Sequence, residues 1–569
     1  MRLFSVVKNY IPLDARLYLQ PIAYGLVGGL AAVAFQEAIQ LCTRFYWQPL
    51  RKVPLPTFAV SSFVVMLVAS FLSALILKYV SPDAAGSGIP QIKVAFWQNF
   101  GFVRLRAAIA KFFAGALTIG GGVSLGREGP SVHIAGALAS NTAGLFGASK
   151  NQRRPALLAG AAAGLTAAFN TPLSAMTFVL EEIIEDLNST RYLAQVLIAA
   201  VTSTFVTHIF LGDNPAFIIP KIGPLSWPTY LLVIPVAAAG SLAGVIFQNG
   251  TLNWRQRLQN WHPVPGLFKP SIGALINWGL GVFGFALTAR LGVFGLGYSD
   301  LEDFLHGAAA WKDTAILLVL KLAATITAYS WGNAGGIFSP TLFFGAGIGF
   351  VVSHLLATSL PLNDSDHVAL TVAGMSACLG AVVRAPITSI LIVFEMTHQF
   401  TFVPLLMIGT LVSQGISRAF CKDNFYSEIL KRDGFDLDRH MPVRSWASLQ
   451  RQSIGSLATF SPVIVSTQER SELRASIEAH PYKFFPLVQD GVLQGLVARD
   501  EITNDGPTPV RILPAQTAPP ETTVLEATKL MVDSSAPILV LVPPGQRKPI
   551  ALVTLHDVLR AQARLAEQF

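Results

Sequence analysis

Ser124-Leu125-Gly126-Arg127-Glu128-Gly129-Pro130 decides how this chain is read, because it sets a carboxylate in a long run of small and apolar residues. The surrounding sequence places Glu128 at bilayer depth, where an ionisable side chain costs at least roughly 2.5–3.5 kcal/mol to insert. A residue kept there against that cost points to function. Gly126 and Gly129 free the backbone to turn and Pro130 suits a first helical turn, so the junction reads as a helix N-terminus. Such an end carries unpaired N–H groups and about half a positive charge, which stabilises a carboxylate and equally an anion that takes its place.

Composition sets the class. The chain has 569 residues, of which 52% are hydrophobic and 13% charged, and its mean hydropathy is +0.51. That excludes an ordinary soluble protein and predicts an integral multi-pass membrane protein. Stretches at 22–46, 56–80, 189–211, 228–247, 272–295 and 401–420 are long enough to cross hydrocarbon as helices. The regions 105–144, 155–187 and 313–397 are interrupted by Gly and Pro and read as shorter, broken or partial-depth helices.

The net charge of +8 does not mark a nucleic-acid binder, since Lys and Arg fall in short loops and at the junction after Phe420. Lys422, Lys431, Arg432 and Arg439 put the tail in the cytoplasm by the positive-inside rule. Residues 1–19 read as a cytoplasmic lead-in, without the pattern of a cleaved signal. Cys42, Cys378 and Cys421 lack disulfide or metal spacing, as do His133, His208, His306 and His398. Neither a nucleophile elbow nor an H-E-x-x-H motif is present, so the chain is not read as an enzyme and requires no metal or cofactor.

The membrane region repeats itself. Residues 111–130 (KFFAGALTIGGGVSLGREGP) align with 321–340 (KLAATITAYSWGNAGGIFSP), and 164–182 with 378–396, pairing Pro172 with Pro386 and Glu181 with Glu395. The expected halves are about 20–215 and 225–435 of a membrane domain at 20–435. The repeat leaves open whether they run parallel or inverted; inverted is the fold expected. Gly/Pro-broken segments at matching places in two halves point to a transporter-type site at the midplane. A linker at 436–454 leads to a soluble α/β domain at 455–569, whose halves 455–503 and 514–565 end in related sequence.

Three junctions read as helix N-termini: Gly86-Ser87-Gly88-Ile89-Pro90, Gly126-Arg127-Glu128-Gly129-Pro130 and Gly335-Gly336-Ile337-Phe338-Ser339-Pro340. Their convergence would hold a dehydrated anion without a cationic side chain. In this order the motifs resemble those of the CLC family of chloride channels and chloride/proton antiporters, over about residues 20–435. The tail resembles the paired CBS domains of many members.

The resemblance implies a homodimer with one chloride path per subunit, in the cell (inner) membrane, with both termini cytoplasmic. It implies that Ser87 and Tyr426 donate hydroxyls, and Ile337 and Phe338 backbone N–H groups, to a central chloride; serine at the Ser87 position goes with chloride preference. Gly86, Gly129 and Ser339 are further backbone donors along the path. Glu128 is implied to be the gating glutamate, blocking the anion path when ionised and carrying a proton when not.

Glu182 is implied to be the internal proton glutamate. The repeat agrees: Glu181 is matched by Glu395, a structural signature, whereas Met396 stands opposite Glu182. Coupled chloride/proton exchange is the expected function, with a passive chloride channel as the alternative. In the tail, Thr554 and Asp557 keep the family's Ser/Thr-x-x-Asp nucleotide pattern while the first unit has Ala498 and Glu501, so one adenine-nucleotide site at most is expected beside a dimerising scaffold role.

Overall fold

The computed structural model describes residues 13–187, 190–219, 222–261, 263–358, 360–435, 446–478, 480, 482–503, 510–534, 536–546 and 548–566. Most of the expected lead-in, the stretch 436–445 of the expected linker and Arg439 lie outside the described residues. Contacts divide the chain into two compact units, Met1–Leu437 and Asp438–Phe569.

The first unit is helical, and among its described residues nine helices are long and apolar enough to span a membrane. Leu55–Tyr79 shows why: Val60, Val64 and Val68 are exposed at four-residue spacing, an outer face suited to lipid, while Ser62, Met66, Ala69 and Ser73 are buried. The fold is that of an integral multi-pass membrane protein.

One expectation changes here. Trp311–Ser330, Phe338–Leu356 and Asp364–Val383 have 20, 19 and 20 residues, long and apolar enough to span a membrane, whereas Pro386–Thr397 is short as expected. The glycines within them do not break the helices; they let them touch. A Cβ on Gly345 would run into the backbone of Gly374, and one on Gly374 into the carbonyl of Gly345. The first-half helices Leu105–Gly120 and Arg154–Phe169, by contrast, have only 16 residues each.

The two halves are related as an inverted repeat. Gly126 and Gly336, equivalent in sequence, form an antiparallel bridge, exchanging N–H···O bonds of 2.7 and 2.6 Å. Helices Glu128–Leu145 and Phe338–Leu356 start from this bridge, so Glu128 and Phe338 occupy the same first position of equivalent helices. Each packs extensively on the helix that follows it, Arg154–Phe169 or Asp364–Val383.

A second, reciprocal contact joins the halves. Glu395 accepts hydrogen bonds from Leu173 N (2.9 Å), Ser174 N (2.7 Å) and Ser174 Oγ (2.7 Å), at the start of helix Pro172–Phe178. Glu181 does the same for helix Pro386–Thr397, accepting from Ile387 N (3.1 Å), Thr388 N (2.8 Å) and Thr388 Oγ1 (2.8 Å). Each half thus caps the other's helix N-terminus with an acidic side chain. Glu395→Ala should destabilise the purified protein by on the order of 2–3 kcal/mol, the worth of hydrogen bonds to a charged group. An unchanged thermal midpoint would show the cap to be dispensable.

The second unit is α/β. Phe484–Gln489 and Val492–Ala498 form an antiparallel hairpin. The other sheet runs in the order 459–460, 551–554, 538–541, 516–518. Leu449 and Ile454 share a core with Val524, Leu539 and Val553. The stretch 449–460, which runs from the expected linker into the start of the expected first unit, therefore completes the core and sheet of the second.

Candidate functional site

Glu128 is fully buried, and its carboxylate points across to the N-terminus of the opposite half's helix. Ser339 donates its backbone N–H to Oε2 (3.3 Å) and its hydroxyl to Oε1. Tyr298 adds its phenol, 2.7 Å from Oε1 and 2.8 Å from Ser339 Oγ. Adjacent Arg127 does not pair with Glu128; it donates to the Ala168 carbonyl (3.0 Å) and lies over the Tyr298 ring at 5.4 Å. The carboxylate is held by neutral donors, so nothing but hydrogen bonds must be broken to release it.

Tyr298 was missed in the sequence, although a signal existed. Gly295-Leu296-Gly297-Tyr298 is the second-half counterpart of Gly86-Ser87-Gly88-Ile89: all four glycines have positive φ, 52° and 75° against 66° and 100°. Equivalent buried lysines hold the two loops. Lys111 donates to the carbonyls of Ala85 (3.2 Å) and Gly86 (2.8 Å), and Lys321 to those of Gly292 (2.7 Å) and Gly295 (3.1 Å). These lysines are parts of the scaffold that shapes the loops.

Ser87 and Tyr426 are neighbours, both buried. Among the described residues, neither Ser87 Oγ nor Tyr426 Oη has a hydrogen-bond partner. Two buried hydroxyl donors without an acceptor are expensive unless something else accepts. The N–H groups of Ile337 and Phe338 precede the first turn of their helix and have no acceptor within it. Gly129 must be glycine, since a Cβ there would collide with Ser87 Oγ. Gly86 departs from expectation: its N–H is engaged by the Asn333 carbonyl at 3.3 Å, so it is not a free donor.

Glu182 is buried and paired. Lys93 Nζ lies 2.8 Å from its Oε1, and Asn424 Nδ2 2.9 Å from its Oε2. Lys93 also reaches Glu185 (2.8 Å) and Ser427 Oγ (3.0 Å). One buried ammonium thus joins three elements: its own helix, which begins just after Ser87-Gly88, the Glu182 turn, and the helix carrying Tyr426. Neither Lys93 nor Asn424 was singled out from sequence.

The Glu182 turn is a π-helix, Val179–Ile184, whereas the equivalent helix Pro386–Thr397 stays α-helical to its end. The left-handed caps confirm one extra residue. Prolines 172 and 386 differ by the same offset as Glu181 and Glu395, yet the caps Glu185 and His398 fall one residue short of it. The π-turn absorbs that residue and separates Glu181, which caps a helix, from Glu182, which enters the interior.

In the tail, Thr554 and Asp557 bond each other: Thr554 Oγ1 donates to Asp557 Oδ2 (2.7 Å), and Asp557 N to Thr554 Oγ1 (3.3 Å). The pair caps helix Leu555–Ala566.

Opposed helix N-termini in an inverted repeat, with a carboxylate between them, define a membrane anion-pathway architecture, and the chain belongs to the voltage gated chloride channel family, whose pattern matches residues 69–418. A CBS domain pattern matches residues 510–564. The H(+)/Cl(-) exchange transporter ClcA of Vibrio cholerae serotype O1 (strain ATCC 39541) is 29% identical over 412 residues, 72% of this chain and 87% of that protein.

Solved structures agree on the fold. A slow cyanobacterial Cl-/H+ antiporter superposes with TM-score 0.66 at 24% identity, covering 74% of this chain and 98% of its own. A eukaryotic CLC transporter gives 0.65 at 19% identity, covering 98% of both chains. A CLC-type fluoride/proton antiporter gives 0.61 at 20%, covering 74% and 99%.

Proposed function

We propose that the protein exchanges chloride for protons across a membrane. The observation that carries this reading is the pair of buried hydroxyls, Ser87 and Tyr426, that have no hydrogen-bond partner among the described residues. Hydroxyls and helix-end N–H groups select an anion and hold it without a fixed cation, so it can leave again. Chloride is assigned from Ser87 and from the chloride exchanger among the relatives. Glu128, as a carboxylate against the Ser339 amide, competes with the anion for the path and withdraws on protonation. Glu182 supplies protons from the other side, with Lys93 and Asn424 holding it at the cytoplasmic end. No bond of a substrate is made or broken.

In this reading the protein is a homodimer in the cell membrane with both termini cytoplasmic. The membrane domain spans about residues 20–435 and the CBS pair 455–569. The pair is a scaffold first; a nucleotide phosphate would have to take Thr554 from Asp557.

The test is flux from purified protein in sealed vesicles. An imposed chloride gradient should drive protons uphill in the direction opposite to chloride. Brisk chloride flux with no proton movement would identify a passive channel instead.

A further inference from the structure

Exchange needs Glu128 to leave and return, and of the groups that hold its carboxylate Ser339 belongs to the facing helix end while Tyr298 comes from a separate loop. Tyr298 stands at that point. A cavity of about 530 Å³ is lined by Arg44, Arg51, Lys52, Arg127, Tyr298 and Glu302, among others. Tyr298 is part of its wall and Glu128, fully buried, is not. The phenol is therefore the layer between a cationic vestibule and the carboxylate.

The ring is fixed on several sides. Arg127 covers it at 5.4 Å, and Phe217 meets it edge-on at 5.3 Å. Its backbone starts helix Tyr298–Leu305 after the left-handed Gly297, in the loop that Lys321 ties down. The hydroxyl closes a triangle with Ser339 Oγ and Glu128 Oε1. Two hydroxyl protons then serve one ionised oxygen.

We propose that Tyr298 is an outer latch, a positioning residue whose phenol holds ionised Glu128 in the anion path and sets the acidity at which it lets go. This rests on Glu128 being the gate. Once Glu128 is protonated, the phenol loses a charged acceptor, and hydrogen bonds to a charge are about twice as strong as neutral ones. The fixed phenol then holds the protonated side chain more weakly, and Glu128 is free to withdraw. The other charged or titratable groups around the triangle do not replace it. Arg127 is turned to Ala168 and the ring face, Lys321 to loop carbonyls, and Asp300 is paired with Arg290 at 2.9 Å. Tyr426 makes no hydrogen bond to the triangle, which consists of Glu128, Ser339 and Tyr298.

The experiment measures chloride and proton flux against pH for the full chain in vesicles of phosphatidylethanolamine and phosphatidylglycerol. Tyr298→Phe removes one donor to the ionised form, so the pH midpoint of chloride flux should move up by about one unit, a tenfold change in proton concentration, with protons still coupled. Ser339→Ala, which removes the other hydroxyl, should move it the same way. Replacing Tyr298 by a monofluorinated tyrosine, a stronger donor of nearly the same shape, should move it toward acid, which a purely structural ring would not do. An unmoved midpoint in all three, alongside a Glu128→Gln protein whose flux no longer depends on pH, overturns the latch and leaves the gate standing. If Glu128→Gln keeps its pH dependence, the gate fails and the latch with it.

Discussion

Glu128→Gln should conduct chloride at every pH and carry no protons with it. Glutamine has the shape of the protonated acid, so it fits the space between the helices, but it cannot ionise. In the native protein the carboxylate is favoured there by the Ser339 amide, the Ser339 hydroxyl and the Tyr298 phenol. Each such bond to a charge is worth about 1.5–3 kcal/mol, so losing the charge weakens occupancy of the blocking position by tenfold or more. If Glu128 is the gate, it blocks only as a carboxylate, so native flux should grow as pH falls. The variant has no such proton to take, so its flux should be flat. Vesicle chloride efflux with simultaneous recording of external pH checks both parts. Persistent uphill proton movement in the variant would remove Glu128 from the proton path.

The second large effect is expected at the other carboxylate. Glu182→Gln should abolish proton movement while chloride continues to pass. The substitution keeps an oxygen for Asn424, and Lys93 retains Glu185 and Ser427, so the buried ammonium is not stranded. That matters because removing one partner of a buried ion pair normally costs about 3–5 kcal/mol when the remaining charge has no other partner. What is lost is a buried titratable group held by Lys93 and Asn424. The same vesicles decide it: a chloride gradient should still collapse, and external pH should stay constant. A Glu182→Gln protein that still pumps protons would show that they reach Glu128 by another route.

The halves, their broken junctions and the separation of Glu181 from Glu182 were legible because they are local or repeated. Gly-x-Gly turns, prolines at first helical turns and apolar lengths declare themselves within a few residues. An inverted repeat then writes each of them twice, and Glu181 was read as structural on that ground. The reciprocal caps with Glu395 show what that structural work is. Helix length in the second half was misjudged for a local reason too, since Gly345 and Gly374 look like breaks until their helices are seen in contact.

The amino-acid sequence by itself determined a repeated pair of helix-rich halves, three Gly/Pro junctions that read as helix N-termini, and a lone carboxylate at one of them; that the halves are inverted came from the antiparallel bridge between Gly126 and Gly336. Tertiary structure alone decided what each carboxylate touches. Tyr298 is 170 residues from Glu128 along the chain, and Lys93 is 89 from Glu182. No periodicity links positions so far apart; only packing of the two halves brings them together. The π-turn belongs to the same category, because a single inserted residue is invisible in composition and becomes a change of direction only when the helix must still reach its cap. Backbone ends could therefore be read as donors from sequence, but the side chains that contact the two acids are chosen by the fold.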